Sequence, residues 1–440
     1  MSVLKLAAGS ICSRPPGQSV MLESSAPPLP FEAAVAALRQ ILTFEAPADV
    51  LLSRFFRDHH ELGSKDRAFV ADLVFGVLRH LRTLETACGK PTPRLLALAF
   101  LARQMGYNKR QLEQVFRGPE MDLLPDIKAM KSSEQPFAVQ WDLPDWLADR
   151  LLARHGVEQT ARLALSLRNP AAMDIRVNTI FSHRDTLLTA LANSGINASP
   201  TPYSPLGLRL ADKPAIQQHP LFLAGHFEVQ DEGSQLLSYL LAPKRGEMVV
   251  DFCAGSGGKT LALGAMMHSA GRLYAFDVSE KRLARFKPRF KRSGLSNVTP
   301  QLISNEHDIR IKRLNGKIDR VLVDAPCSGL GTLRRNPDLK FRQSPESVAE
   351  LSVKQASILA AAARLVKPGG RLVYATCSLL QEENEDIVTA FLALHPEFSL
   401  KPAQAVLAEQ HIMLDTGDFL QLNPADHATD GFFAAVLERA

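Results

Sequence analysis

Two cysteines follow predicted β-strands in similar surroundings. Cys327 lies in Val323-Asp-Ala-Pro-Cys-Ser-Gly329, and Cys377 lies in Val373-Tyr-Ala-Thr-Cys-Ser378. A cysteine thiolate near a bound pyrimidine can add covalently to the ring, and a second thiol can help to complete the reaction. This chemistry suits methylation of cytosine at carbon 5. Either cysteine taken singly could equally be a small buried core residue, because free cysteine is often buried.

Alternating strands and helices from residue 247 onward predict a parallel sheet covered by helices on both faces. Short apolar strands are predicted at 248–252, 272–277, 320–324 and 370–376. Ligands bind at the carboxyl ends of the strands in such sheets. Because both cysteines follow strand ends, we expect them to lie close together, beside a ligand.

A glycine-rich turn follows the first of these strands, and a helix is predicted to begin near its last residue. Glycines let the backbone approach a ligand closely, and a helix start attracts negative charge. The spacing fits neither a Walker A loop, which would need glycine at position 253, nor Gly-x-Gly-x-x-Gly, which Thr260 interrupts. The looser turn of methyltransferases remains, whose ligand has an amino-acid end and a ribose but no phosphate. The predicted cofactor-binding residues are Cys253, Ala254, Gly255, Ser256, Gly257, Gly258 and Lys259.

Asp277 ends the second strand, about twenty residues beyond the turn, where a carboxylate can accept both ribose hydroxyls of a cofactor. S-adenosylmethionine and nicotinamide dinucleotides both carry that diol. The glycine turn alone could be an ordinary tight turn. With Asp277 at the expected offset, a cofactor site is the favoured interpretation.

Three segments together resemble the NOL/Nop/Sun family of RNA cytosine-5 methyltransferases, most of all the bacterial branch that methylates small-subunit ribosomal RNA. They are Cys-Ala-Gly-Ser-Gly-Gly-Lys-Thr at 253–260, Asp-Ala-Pro-Cys-Ser-Gly at 324–329, and Ala-Thr-Cys-Ser-x-x-x-Glu-Glu-Asn at 375–384. The resemblance covers all but residues 1–29. It implies an α/β fold: a Rossmann-like, S-adenosylmethionine-dependent methyltransferase domain preceded by an α+β module and an all-helical NusB-like domain.

The same resemblance implies catalytic roles for four residues. Cys377 is the expected nucleophile that adds to carbon 6 of cytosine, and Cys327 would assist removal of the carbon 5 proton and release of Cys377. Asp324 would hydrogen-bond the base near ring nitrogen 3 and border the methionine part of the cofactor. Lys259 would lie close to both sites.

Two points in the implied cofactor site differ from the family pattern or stay open. Many family members have Ala-Pro where this chain has Gly255-Ser256, but small residues are kept, so the loop should survive. A third acidic residue is expected after the third strand, facing the adenine. Asp308 is the predicted residue, and Asn305 is its competitor.

Basic residues cluster in two places. Residues 281–292 are densely basic, although a solvated helix face explains that cluster equally well. Arg334, Arg335, Lys340 and Arg342 follow the Cys327 segment and are predicted to bind RNA, because phosphates that flank a target base must lie beside the reactive cysteine. The target cytosine must be single-stranded or rotated out, since carbon 6 is inaccessible in a stacked helix.

Composition excludes few partners. A net charge of +5 over 440 residues permits a nucleic-acid partner without demonstrating one. The five cysteines are widely spaced and form no Cys-x-x-Cys pair, which disfavours a disulfide framework and a zinc site. The longest apolar run, 95–102, is far shorter than the ~20 residues of a membrane helix. We therefore expect a cytoplasmic monomer with no metal and no membrane partner.

Four regions are predicted along the chain. Residues 1–29 read as a disordered lead or a misassigned start. Residues 30–135 have a helical pattern and, by the resemblance, form the NusB-like RNA-binding domain, with a proline-rich linker at 118–140. Residues 136–240 form the α+β module, and residues 241–440 form the methyltransferase domain.

The expected function is S-adenosylmethionine-dependent methylation of carbon 5 of a cytosine in 16S ribosomal RNA through a cysteine adduct at carbon 6. A transfer-RNA cytosine-5 methyltransferase with the same chemistry remains open, as does a non-catalytic RNA-binding ribosome assembly factor. The NusB-like domain favours the ribosomal target. The presence of both Cys327 and Cys377 argues against the non-catalytic alternative.

Overall fold

A computed structural model describes residues 29–440, so the predicted lead at 1–29 lies outside the described residues except for Leu29. The first part of the chain is all-helical, as predicted. Phe31, Val35 and Leu38 of the first helix are buried in its core. The helices are α1 (Leu29–Ile41), α2 (Ala48–Asp58), α3 (Ser64–Arg79), α4 (Leu81–Cys88), α5 (Pro93–Arg103), α6 (Lys109–Leu112), α7 (Pro119–Asp122), α8 (Leu124–Ala129) and α9 (Phe137–Gln140).

The linker predicted at 118–140 is wrong, because this segment folds onto the helical domain. Pro119 and Pro125 stand in the first turns of α7 and α8, where proline is favourable because its missing N–H would be unpaired there anyway. Leu124 and Ile127 are buried in the helical core. The prolines therefore mark helix starts and not a flexible connection.

An α+β module follows, as predicted. Its long first helix, α10 (Asp145–Leu167), is interrupted at Gly156, where φ is 73°. Four antiparallel strands form a sheet in the order β2-β3-β1-β4, and Ile175, Leu208 and Phe227 are buried beneath it. The elements are β1 (Met173–Val177), α11 (Arg184–Asn193), β2 (Ala198–Pro200), β3 (Gly207–Leu210), α12 (Pro220–Leu223), β4 (Phe227–Val229) and α13 (Glu232–Leu241).

The last part of the chain forms an eight-stranded sheet in which β9, β8, β5, β6 and β7 are parallel neighbours. The predicted parallel sheet is therefore confirmed. An antiparallel edge of β10, β11 and β12 joins it beside β9 and was not predicted. The strands are β5 (Met248–Asp251), β6 (Arg272–Asp277), β7 (Val298–Leu302), β8 (Ile318–Asp324), β9 (Val366–Thr376), β10 (Phe398–Lys401), β11 (Leu420–Leu422) and β12 (Phe432–Arg439).

Helices cover both faces of this sheet. Successive strand residues point to opposite faces, so Val249 belongs to one apolar core and Val250 to the other. Burial on both faces explains why these strands read as continuous apolar runs. The helices are α14 (Gly258–Met266), α15 (Glu280–Ser293), α16 (Ile309–Lys312), α17 (Leu339–Arg342), α18 (Pro345–Ala363), α19 (Glu385–Leu394), α20 (Ala403–Glu409) and α21 (Pro424–His427). Between residues 29 and 440, no helix is both long and apolar enough to cross a membrane.

Candidate active site

The carboxyl ends of β5, β6, β8 and β9 surround a cavity of about 520 Å³. The structure thus brings the predicted cysteines and the predicted glycine turn to one place. Gly257 is the single member of the turn outside the lining, and the Phe286 ring occupies the space that a Cβ atom would need there. The predicted residues that line the cavity are Cys253, Ala254, Gly255, Ser256, Gly258, Lys259, Asp277, Asp324, Cys327 and Cys377.

The two cysteines are in direct contact. Their Sγ atoms lie 3.3 Å apart, and the Cys377 amide also lies 3.3 Å from the Cys327 Sγ. The parallel pairing of β8 with β9 causes this approach, because Asp324 is in register with Ala375. The hydrogen bond with Cys377 and burial both raise the pKa of Cys327 well above its usual value. Cys327 therefore holds its proton more firmly than an ordinary thiol does.

Glu383 joins the loops that carry the two cysteines. One carboxylate oxygen accepts hydrogen bonds from the Ser328 amide (2.8 Å) and Gln355 Nε2 (3.0 Å). The other accepts from the hydroxyls of Ser328 and Ser378. The Glu383 side chain is fully buried. The sequence pattern contained this residue, six positions after Cys377, but only its contacts reveal what it holds.

Lys259 and Asp324 form an ion pair at the cavity wall, with Nζ 2.7 Å from Oδ2. Burial lowers the pKa of Lys259, but the neighbouring Asp324 carboxylate outweighs burial, so the net pKa is raised. The Lys259 ammonium also lies 5.7 Å from the centre of the Phe432 ring. The site therefore keeps a fixed positive charge beside the cysteines.

Asp277 is fixed at the opposite side of the cavity. Its carboxylate accepts hydrogen bonds from the backbone amides of Gly255 (2.8 Å) and Ser279 (2.7 Å). A carboxylate has about four acceptor positions, so two such bonds leave capacity for further donors. Open space surrounds the Cα of Gly255, and at Gly258 the nearest groups are the ends of the Arg289 and Gln230 side chains, 3.7 and 3.9 Å from the position of a Cβ atom. This cradle of small residues facing a carboxylate can hold a ligand with a ribose.

Asp251 is a buried residue of the site that sequence reasoning missed. It ends β5, and its Oδ2 accepts a hydrogen bond of 2.6 Å from the Thr260 hydroxyl. Complete burial raises the pKa of Asp251 to about 7. The pair connects the strand before the glycine turn to the helix after it. The sequence feature that could have revealed this pair is an acidic residue at a strand end followed nine positions later by a threonine.

The α+β module also reaches the cavity, which sequence reasoning did not predict. Gln230 and Ser234 line it. Glu228 of β4 accepts a hydrogen bond of 3.0 Å from Arg289 Nε, and Arg289 Nη1 donates to the Ser256 carbonyl at 2.7 Å. A second support comes from Arg176 of β1, which donates to the Gly258 carbonyl at 2.8 Å. The α+β module thus supports the glycine turn directly through Arg176 and indirectly through Glu228, which holds Arg289.

Asp308 is not where the sequence analysis expected it. Its carboxylate accepts from the backbone amides of Ser304 and Arg310, each at 2.9 Å, and so caps α16. Neither Asp308 nor its competitor Asn305 lines the cavity, whereas Glu306 does. An aspartate that begins a short helix satisfies unpaired amides of that helix, and this demand turns the side chain away from the ligand cavity.

The arginines predicted to bind RNA are paired within the protein. Arg334 is only 7% exposed and lies 3.2 Å from Asp430. Arg335 lies 2.8 Å from Asp231 and 2.5 Å from Asp430. Because these guanidinium groups neutralise two buried carboxylates, their charge is balanced within the protein.

Lys340 and Arg342 contact the helical domain or residues that bind it. Lys340 is 5% exposed, donates to the Arg79 carbonyl at 3.1 Å, and has its pKa lowered to about 8 by burial. Arg342 lies 3.5 Å from Asp338, which accepts the Ala48 amide at 3.1 Å. Residues 334–342 therefore form contacts between domains. The four cations predicted to bind RNA are engaged within the protein and do not form the free basic surface that the sequence analysis expected.

Comparison with known proteins identifies the family. A profile described as 16S rRNA methyltransferase RsmB/F matches residues 238–438, and one described as the RsmF/B-like ferredoxin-like domain matches residues 143–217. A probable ribosomal RNA small subunit methyltransferase B from Synechocystis sp. is 32% identical over 92% of this chain and 98% of its own length. The chain belongs to the RsmB/F methyltransferase family.

Further similarities agree with RsmB/F membership. Ribosomal RNA small subunit methyltransferase B from Sodalis glossinidius is 32% identical and covers 85% of this chain and 90% of its own length. The crystal structure of PH0851 superposes with a TM-score of 0.78 at 27% identity, covering 93% of this chain and 98% of that one. The family resemblance and the fold class predicted from the three motifs are confirmed. Among residues 29–440, no group of three or more His, Cys, Asp or Glu side chains could hold a metal ion.

Proposed function

We propose that this RsmB/F family protein methylates carbon 5 of a cytosine in 16S ribosomal RNA, with S-adenosylmethionine as the methyl donor. The observation that carries the proposal is the 3.3 Å separation of the Cys327 and Cys377 sulfur atoms. Both atoms border the cavity that contains the glycine turn and Asp277. The relatives named ribosomal RNA small subunit methyltransferase B support this class of RNA.

The residues of the cavity fit S-adenosylmethionine. The carboxylate of Asp277 would accept the ribose hydroxyls, and the open space at Gly255 would admit the rest of the ligand. The paired Asp324 would border the methionine part. When bound, this cofactor supplies an electrophilic methyl group.

Cys377 would act on the target cytosine as the nucleophile. Its thiolate would form a bond to carbon 6 while the ring electrons move toward carbon 5. Carbon 5 would then take the methyl group from the sulfonium of the bound donor, whose S–CH3 bond breaks to leave a neutral thioether. Asp324, fixed by Lys259 at 2.7 Å, would hydrogen-bond the ring near nitrogen 3 and stabilise the adduct. Cytosine carbon 5 is otherwise a poor nucleophile, so the reaction depends on this addition.

Cys327 would complete the reaction as the base. While Cys377 is ionised, the S–H of Cys327 can donate to that thiolate, because the two sulfur atoms share one hydrogen bond. Once Cys377 is bonded to carbon, its negative charge is gone, and Cys327 would then lose its proton to solvent water more easily and become a thiolate. Cys327 then accepts the carbon 5 proton as the bond between Cys377 and carbon 6 breaks.

Substitution of each cysteine tests these roles. Cys377→Ala should reduce methyl transfer to background, because no adduct can form. Cys327→Ala should instead accumulate a protein–RNA adduct that survives denaturing electrophoresis, because the adduct forms but is not released. Adduct accumulation in Cys377→Ala and not in Cys327→Ala would reverse the two assignments.

Bisulfite sequencing of RNA from cells without the protein tests the substrate. Loss of methylation at a cytosine of 16S ribosomal RNA is expected, with transfer RNA unchanged. Loss confined to transfer RNA would favour a transfer-RNA cytosine-5 methyltransferase. Failure of tritium transfer from labelled cofactor to unmodified ribosomal RNA would favour a non-catalytic assembly factor.

We also propose that the NusB-like helical domain contributes RNA binding around the target.

A further inference from the structure

Helix α15 presents positive charge that the protein itself does not neutralise. It contains seven basic residues and a single acidic residue, Glu280. Arg289 and Arg292 are held by Glu228, and Arg282 lies 3.7 Å from Asp277. The remaining four are exposed and have no acidic partner in the part of the chain that the structure describes: Lys281, Arg285, Lys287 and Lys291.

These four cations share the outward half of the helix. The inward half is formed by Leu283 and Phe286, which are buried in the core of the large sheet. Lys281 and Arg285 are four residues apart, as are Lys287 and Lys291, so each pair occupies one row of the helix surface. Like charges at this spacing repel each other, and such a helix gains stability from an external anion.

The charged face starts next to a residue that lines the cavity. Helix α15 begins three residues after Asp277, and Arg282 of its first turn lines the cavity. The face extends outward for about ten residues, which is about 15 Å of helix. A single strand of nucleic acid presents a phosphate about every 3.4 Å along its axis when stacked, so this length spans several phosphates.

We propose that the outward face of α15, defined by Lys281, Arg285, Lys287 and Lys291, binds the phosphates of the RNA strand next to the target cytosine. This inference rests on the proposed function, because a strand whose cytosine occupies the cavity must leave it past the surrounding surface. It takes the place of the surface predicted at residues 334–342, where the cations are already paired.

A pair of charge-removing double variants tests this surface. Lys281→Gln with Arg285→Gln removes two cations from α15, and glutamine preserves the helix because its helix propensity is good. The matched control is Lys244→Gln with Arg245→Gln, an exposed lysine and arginine just before the amino end of β5, whereas the cavity lies at the carboxyl ends of the strands. Dissociation constants for an unmodified 16S ribosomal RNA transcript would be measured over a salt series, without cofactor.

The α15 variant should bind the transcript more weakly, with a salt slope lower than wild type by about 1.4, because each single-strand phosphate contact contributes about 0.7. The control should match the wild-type slope, and cofactor affinity should be unchanged in both variants. An unchanged slope in the α15 variant, or equal changes in the two variants, would overturn the proposal. Because binding is measured without methyl transfer, an inactive wild-type protein would count against the proposed reaction and not against this surface.

Discussion

Glu383 holds together the two loops that carry the cysteines of the candidate active site. Its buried carboxylate receives four hydrogen bonds, three of them from Ser328 and Ser378, the residues that directly follow the two cysteines. The loops carrying Cys327 and Cys377 are thereby connected outside the cavity, which Glu383 does not line. Glu383 is therefore a positioning residue in the proposed reaction.

Glu383→Gln should lower kcat at least tenfold and leave the KM for S-adenosylmethionine close to wild type. The glutamine amide can accept through one oxygen only, so it leaves buried donors unpaired at a cost of about 1–3 kcal/mol each. Glu382→Gln is the matched control, because Glu382 forms a partly exposed ion pair with Arg150 at 2.7 Å. Similar kinetics in the two variants, or a change confined to the cofactor KM, would contradict a positioning role.

Strand β4 of the α+β module supports the glycine turn of the methyltransferase domain. Glu228 is buried and holds Arg289, which donates to the Ser256 carbonyl. The turn needs such support because glycine restricts its own backbone little. The module thus helps to shape the cofactor site from outside the sheet.

Glu228→Gln should weaken S-adenosylmethionine binding about tenfold, equivalent to about 1.4 kcal/mol, because Arg289 loses the charge that fixes it. The value of kcat at saturating cofactor should change little. Isothermal titration would measure the affinity, with Glu247→Gln as the control, since Glu247 pairs with Arg320 at 2.7 Å away from the cavity. Equal affinities for both variants would show that β4 does not shape the site.

Residues 334–342 connect the three parts of the chain. Arg335 contacts Asp231 after the four-stranded sheet and Asp430 before β12. Phe341 packs its ring 5.3 Å from that of Phe44 in the helical domain. Because the segment begins just after the Cys327 loop, it connects the helical domain to the loop that carries this cysteine.

Arg335→Gln should lower the free energy of unfolding by about 2–4 kcal/mol, because it leaves two buried carboxylates without a shared partner. Burial already raises the pKa of Asp231 to about 6, which shows how poorly that site tolerates charge. Urea unfolding would measure the loss, with Arg342→Gln as a control whose contact is a single pair at 3.5 Å. If Arg335 bound RNA instead, the variant would unfold normally and its RNA salt slope would fall.

The sequence alone determined the cysteines, the glycine turn, Asp277 and the parallel sheet, because each depends on a residue type at a fixed distance from a strand end. Only the tertiary structure decided which partners the charged residues contact. Arg334 finds its partner Asp430 at a separation of 96 residues, and Lys340 finds the Arg79 carbonyl at 261. A local pattern can place a side chain at the end of an element, but the fold decides which buried charge it must neutralise.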